Sequence, residues 1–273
     1  MKCSYNYHTH SHYCDGKGTL EDYIQEAIKA GLTDLGFSGH APLPFDNSFS
    51  IKDDQYLNYC HEVNMLKEKY SGVINIHLGL EIDYIPSVHD DFRPLVEKGN
   101  LDYFIGSVHL INRDHGNDLW MIDGSKIERY DEGFRRLFGG DIKAGVKAFY
   151  EQTNEMILSQ KPPIIGHFNK VEMNNKNRYF LPTDKWYQDL VNETLNIIQK
   201  SGCICEINTR GIYKMRYWDY YPSKSILKLM KERRIPVMAA SDAHHPSEVA
   251  LLLDEVHEYL NEIGYPKELI GFN

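Results

Sequence analysis

Residues 4–10 read Ser4-Tyr5-Asn6-Tyr7-His8-Thr9-His10, a short β-prone run that ends on two histidines. Side chains two apart on a strand point the same way, so both imidazoles can meet one ion. Just downstream, Thr19 suits a helix N-cap, with Glu21 and Asp22 in the first turn and Gly31 at the stop. Between them Leu20, Tyr23, Ile24, Ala27 and Ile28 fall on one helical face. A second apolar run, Asp34–Ser38, follows and ends on Gly39-His40. A strand, a helix and a second strand are therefore legible within the first 40 residues.

The alternation continues along the chain. Strands are predicted at Ser4–His8, Asp34–Ser38, Val73–Leu80, Tyr103–Val108, Pro163–Gly166, Cys203–Ile207 and Val237–Ala240. Helices are predicted over about 53–70, 141–160, 184–200, 223–233 and 247–263, with long loops near 40–52, 110–140 and 168–183. Repeated β-then-α order implies parallel strands with right-handed crossovers. Seven such units predict an α/β fold, a distorted (β/α)7 TIM-like barrel whose strand ends converge on one face. No linker or repeat divides the chain, so residues 1–273 are expected to form a single domain.

The bulk properties narrow the function. The chain has 273 residues and a net charge of −9, which argues against nucleic acid as a partner. It has no apolar run long enough to span a membrane and no signal-peptide pattern. Five scattered cysteines, Cys3, Cys14, Cys60, Cys203 and Cys205, read as reduced thiols, which points to the cytoplasm. The sequence leaves the oligomeric state open.

Ligand-type residues recur at the predicted strand ends. After His8 and His10 come Asp15 in the first loop, His40 after strand two, Glu81 after strand three and His109 after strand four. His167 follows strand five, and Asp242 and His244 follow strand seven. A single strand-end His or Asp is commonly a loop or capping residue; six strands ending this way are not explained so. Nine mixed N/O ligands exceed a mononuclear zinc site and predict two or three divalent transition-metal ions, Zn, Fe or Mn. Such ions activate water and steady the charge of a phosphoryl group, so the expected partner is a small-molecule phosphate monoester. His12 lies close enough in sequence to contact substrate. His61, His77, His89, His115, His245 and His257 are expected to be ordinary surface or packing residues, and Trp120, Trp186 and Trp218 packing residues.

Together, His8-Thr9-His10-Ser11, Asp15-Gly16, Gly39-His40, Gly79-Leu80-Glu81, Ser107-Val108-His109, Gly166-His167 and Ser241-Asp242-Ala243-His244 resemble the polymerase and histidinol phosphatase (PHP) superfamily. The resemblance runs from His8 to His244. It implies a trinuclear centre: one ion on His8, His10, Glu81 and Asp242, a second on Glu81, His109 and His167, and a third on Asp15, His40 and His244. Glu206-Ile207-Asn208-Thr209-Arg210-Gly211 looks like the superfamily's sixth-strand motif, which implies that Arg210 grips phosphate. Lys214 and Arg178 are further candidate cations. Ser107-Val108-His109, followed by Trp120-Met121-Ile122-Asp123, resembles the histidinol-phosphatase branch, and Ser107 is a further candidate substrate contact. That branch implies hydrolysis of L-histidinol phosphate in histidine biosynthesis by a metal-bridging hydroxide, with Glu81, Asp242 and His244 in catalytic roles. Alternatives are another PHP phosphoesterase acting on phosphotyrosine or a nucleotide, an amidohydrolase-type enzyme, or a non-catalytic metal-binding module.

Overall fold

The first helix shows how closely local sequence sets local structure. In the computed structural model, which describes residues 2–113, 116 and 118–272, α1 spans Leu20–Ala30. Thr19 and Asp22 form a reciprocal capping box, and Gly31 closes the helix with a left-handed φ of 83°. Leu20, Tyr23, Ile24 and Ala27 are buried, the stripe that the sequence periodicity predicts.

The strands are β1 (Tyr5–Asn6), β2 (Asp34–Phe37), β3 (Asn75–Leu78), β4 (Glu81–Asp83), β5 (Ile105–Ser107), β6 (Leu110–Ile111), β7 (Trp120–Met121), β8 (Ile164–Ile165), β9 (Ile204–Asn208) and β10 (Val237–Ala240). β1, β2 and β3 form one parallel sheet, and β10, β9, β8, β5 and β4 form another, also parallel. β3 and β4 are two halves of one run that breaks at Gly79-Leu80. Parallel bridges join the two sheets at both seams, His40 to Glu81 and Thr9 to Ala243. The strands thus follow one another around a ring in chain order, the arrangement of a distorted (β/α)7 barrel. The distortion lies at the seams, where the ladder shrinks to single bridges. Both seams fall at strand ends that carry the predicted ligands.

The helices after α1 are α2 (Tyr56–Lys69), α3 (Arg93–Gly99), α4 (Ile127–Phe138), α5 (Ile142–Gln160), α6 (Glu172–Asn175), α7 (Lys185–Ser201), α8 (Arg210–Tyr213), α9 (Lys224–Glu232) and α10 (Leu253–Glu262). The main core lies between helices and strands, with Leu35 and Phe37 among its buried members beside α1. A smaller core gathers Tyr7, Tyr103, Ile105, Ile164, Met238 and Ala240.

Three expectations need correction. The 110–140 loop holds an antiparallel hairpin, β6 with β7, and the whole of α4. Ile127, Tyr130, Phe134, Leu137 and Phe138 keep helical spacing, and the rings of Tyr130, Phe134 and Phe138 pack beside the buried Trp120. The 168–183 loop contains α6. The helix predicted over 247–263 is split, with a 3₁₀ turn at Pro246–Glu248 and α10 starting only after Leu252, whose φ is 63°. His115 lies outside the described residues.

Candidate metal centre

His8 and His10 leave β1 at the seam with β10. His10 N–H donates to Ala243 O at 2.8 Å and Ala243 N–H to His8 O at 3.2 Å, so the backbone fixes both imidazoles. Both side chains are fully buried. His8 Nδ1 lies 2.6 Å from Glu206 Oε2, which leaves Nε2 as the free face of the ring. That Nε2 stands 3.1 Å from His10 Nε2, 3.3 Å from Glu81 Oε2 and 3.7 Å from Asp242 Oδ1.

The opposite side repeats the pattern. His109 Nδ1 lies 2.7 Å from Asp83 Oδ1, and its Nε2 faces His167 Nε2 at 3.2 Å and Glu81 Oε1 at 3.5 Å. His167 Nε2 is 2.9 Å from the same oxygen. On the third side, Asp15 Oδ1 lies 3.3 Å from His244 Nε2, 3.9 Å from His40 Nε2 and 3.7 Å from His10 Nδ1. His40 Nδ1 is 3.2 Å from Glu81 Oε2. All nine predicted ligands are brought together, with Glu81 between the groups. His10 faces two of them, one through each ring nitrogen.

This donor set fits divalent cations. Paired imidazole nitrogens at 3.1–3.2 Å set two lone pairs against each other unless a proton or cation lies between. Ligands of a tetrahedral ion at about 2.0–2.1 Å stand roughly 3.3 Å apart, close to the spacing seen here. His40 Nδ1 and Asp242 Oδ1 are buried with no hydrogen-bond partner among the described residues. Burial opposes ionisation of Glu81, yet His8, His40 and His109 hold its carboxyl well below the usual range. Asp242 is held low in the same way by His8, Lys170 and Arg210. Both carboxylates are therefore ready to bind a cation without first losing a proton.

The centre opens into a cavity of about 510 Å³. Arg210 and Lys214 line it, as the sequence anticipates. Arg210 Nη1 donates to Asp242 O at 2.7 Å, and Lys214 pairs with Glu248. Three sequence-predicted substrate contacts are not brought to the cavity. Arg178 is engaged bidentately by Asp131 of α4 at 2.7 Å. Ser107 Oγ is buried and donates to Glu81 Oε1 at 2.7 Å, so it orients that carboxylate instead. His12 is exposed and lies against the Tyr13 ring, outside the cavity. His245, read as an ordinary residue, lines the cavity.

Other contributors escaped the sequence reading. Lys170 is buried, with Nζ 3.2 Å from Asp123 Oδ2 and 3.8 Å from Asp242 Oδ2. Asp83 and Glu206 set the rings of His109 and His8. Asp83 is two residues beyond Glu81 on one strand, so the alternation that pairs His8 with His10 was a usable signal for it. Lys170 carried none: three residues past His167, it depends on how the loop turns.

The PHP domain family matches residues 6–210 of this chain. The histidinol-phosphatase of Bacillus subtilis (strain 168) is 30% identical over 260 residues, spanning 89% of this chain and 94% of the relative. Among solved structures, a Listeria monocytogenes chain assigned as a histidinol phosphatase has a TM-score of 0.79 at 22% identity, covering 90% of this chain and 97% of that one. The histidinol phosphate phosphatase of Lactococcus lactis, solved with zinc, L-histidinol and phosphate, has a TM-score of 0.67 at 19% identity, covering 97% and 95%. These two likenesses concern the fold.

Proposed function

The chain belongs to the PHP domain family, and from that premise we propose that it hydrolyses L-histidinol phosphate to L-histidinol and phosphate, a step of histidine biosynthesis. One observation carries the reading: five histidines from the ends of four strands, His8, His10, His40, His109 and His167, each place a ring nitrogen within 3.5 Å of the Glu81 carboxylate.

His8, His10, Glu81 and Asp242 would hold one divalent ion, Glu81, His109 and His167 a second, and Asp15, His40 and His244 a third. Zinc suits this set, as do iron and manganese. Bound there, such ions ionise water near neutral pH and offset the charge of the phosphoryl oxygens. The chain's own residues do the rest. Arg210, fixed by Asp242 O, keeps guanidinium N–H groups for phosphate oxygens. Lys170 keeps its proton: burial opposes the charge, but Asp123 and Asp242 raise the amine above its ordinary value. It adds positive charge to the same wall. The ionised Asp242 carboxylate, 3.3 Å from His244 Nδ1, would accept the proton that the attacking water loses and return it to the departing alkoxide.

No helix among the described residues is long and apolar enough to cross a membrane, and all five cysteines are free, in keeping with a cytoplasmic enzyme. The test is phosphate release from histidinol phosphate, phosphotyrosine and nucleotides by purified, metal-analysed protein. Histidinol phosphate is expected to give the highest kcat/KM. Equal or higher turnover of phosphotyrosine or a nucleotide would replace this substrate with the PHP alternative.

A further inference from the structure

Tyr221 is held unusually firmly for a residue at a cavity wall. Its backbone pairs with the end of β9: Asn208 N–H donates to Tyr221 O at 2.7 Å, and Tyr221 N–H to Asn208 O at 3.0 Å. Its ring stacks on Tyr217 with centroids 4.9 Å apart and planes 16° from parallel. Gly211 makes room for the stack, since a Cβ there would lie 2.8 Å from Tyr221 Cε2 and 3.0 Å from Tyr217 Cβ. Only a residue without a side chain lets the ring sit there.

Despite this, the hydroxyl does nothing for the fold. The residue is 1% exposed, and its oxygen is buried with no hydrogen-bond partner among the described residues. Leaving a phenol so placed costs the desolvation of a polar group with nothing in return. The neighbouring Tyr217 is different, since its hydroxyl donates to Glu172 behind the site. The charged groups acting on the Tyr221 phenol are Asp123, Glu172, Arg216 and Asp242, and all but Glu172 line the cavity together with Tyr221 itself. Lys170 and Arg210 line it as well. Three of the four groups acting on the phenol, Asp123, Glu172 and Asp242, are acidic and favour its neutral, donating form, while Lys170, Arg210 and Arg216 give the cavity it lines positive charge for an anion. Burial holds the phenol well above its ordinary value, so it stays protonated and acts as a donor.

We propose that the Tyr221 hydroxyl is a substrate contact, donating its hydrogen bond to a phosphoryl oxygen of the phosphate monoester bound beside Lys170 and Arg210. The proposal rests on the phosphoesterase reading but not on the identity of the alcohol. The Tyr217 stack and the Gly211 gap fix the direction of the donor before substrate arrives, which lowers the ordering cost of binding.

The test is Tyr221→Phe, which deletes one oxygen and keeps the ring. Inorganic phosphate and L-histidinol are titrated separately into the metal-loaded protein by calorimetry, and KM for histidinol phosphate is measured alongside. A hydrogen bond to a charged group corresponds to a loss of about 10- to 100-fold. Phosphate affinity is expected to fall by that factor while L-histidinol affinity and metal content hold. Gly211→Ala, which keeps the oxygen but displaces the ring, is expected to weaken phosphate in the same direction. Unchanged phosphate affinity in Tyr221→Phe overturns the proposal, as does a loss confined to L-histidinol. Should phosphate binding depend on Tyr221 while histidinol phosphate is not hydrolysed, the substrate reading falls and the contact stands.

Discussion

His8 Nδ1 and Glu206 Oε2 lie 2.6 Å apart with both side chains wholly buried, so the orientation of the first candidate ligand in the chain is set by a carboxylate from the sixth strand of the ring. Glu206 also accepts from His167 N–H at 2.8 Å and from Asn208 Nδ2 at 3.0 Å. One carboxylate thereby braces two ligand-bearing strand ends.

Glu206→Gln is therefore expected to lower metal affinity by about 10- to 100-fold, the usual cost of losing such a partner. Metal retained against a graded chelator series measures it. Retention equal to wild type would show that His8 is oriented by other means.

Arg178 and Arg210 separate on the same grounds. Arg178 is committed to Asp131 at the rim of α4, so Arg178→Ala should leave KM and kcat within about twofold and cost at most about 1 kcal/mol of stability, as screened pairs do. Arg210→Ala should lower kcat/KM for histidinol phosphate by about 100-fold, through loss of a charge-assisted contact. Steady-state kinetics of both variants decide. A large kinetic loss in Arg178→Ala would restore it as a substrate contact.

Ser107→Ala tests whether Glu81 needs an external hold. Removing the 2.7 Å hydrogen bond leaves Glu81 Oε1 oriented only by His167 and His109. A fall in kcat of about tenfold, with KM little changed, is expected for a residue that positions a ligand and does not touch substrate. A selective rise in KM would instead make Ser107 a substrate contact.

Glu172 supplies a pH dependence of stability away from the ligands. It is 1% exposed, and burial raises its carboxyl above the ordinary value despite donors Tyr187, Tyr217 and Asn169. The folded state therefore keeps this proton to higher pH than the unfolded chain. The stability so gained is complete below the unfolded value of about 4.3 and is lost as pH rises through the raised folded value. Glu172→Gln stays neutral throughout, so its Tm relative to wild type should climb as pH increases from about 4. A Tm difference that is flat or falls with pH contradicts this.

The candidate ligands other than Asp15, which lies in the first loop, were legible because they sit at or just beyond a predicted strand end, and a ring of parallel strands sends all such ends to one face. His8, Glu81, His109 and Asp242 needed no knowledge of loop structure. What supports them did need it. Glu206 reaches His8 only once β9 stands next to β10 and β10 closes on β1, a relation no local pattern encodes. Lys170 depends on the turn after His167. Arg178 was misjudged because its partner Asp131 lies on α4, a helix hidden in an apparent loop. Lys126 offers no side-chain cap there, and polar residues separate the apolar positions that pack near Trp120. Tyr221 gave no signal, because its meaning lies in a hydrogen bond it does not make.

The claim beneath all of these is that Glu81 is shared between bound cations. Elemental analysis of the Glu81→Ala variant beside wild type addresses it directly. The account predicts two or three divalent ions per wild-type chain and loss of at least two in the variant, at unchanged helical content. A folded Glu81→Ala protein that retains the wild-type number of ions would contradict it.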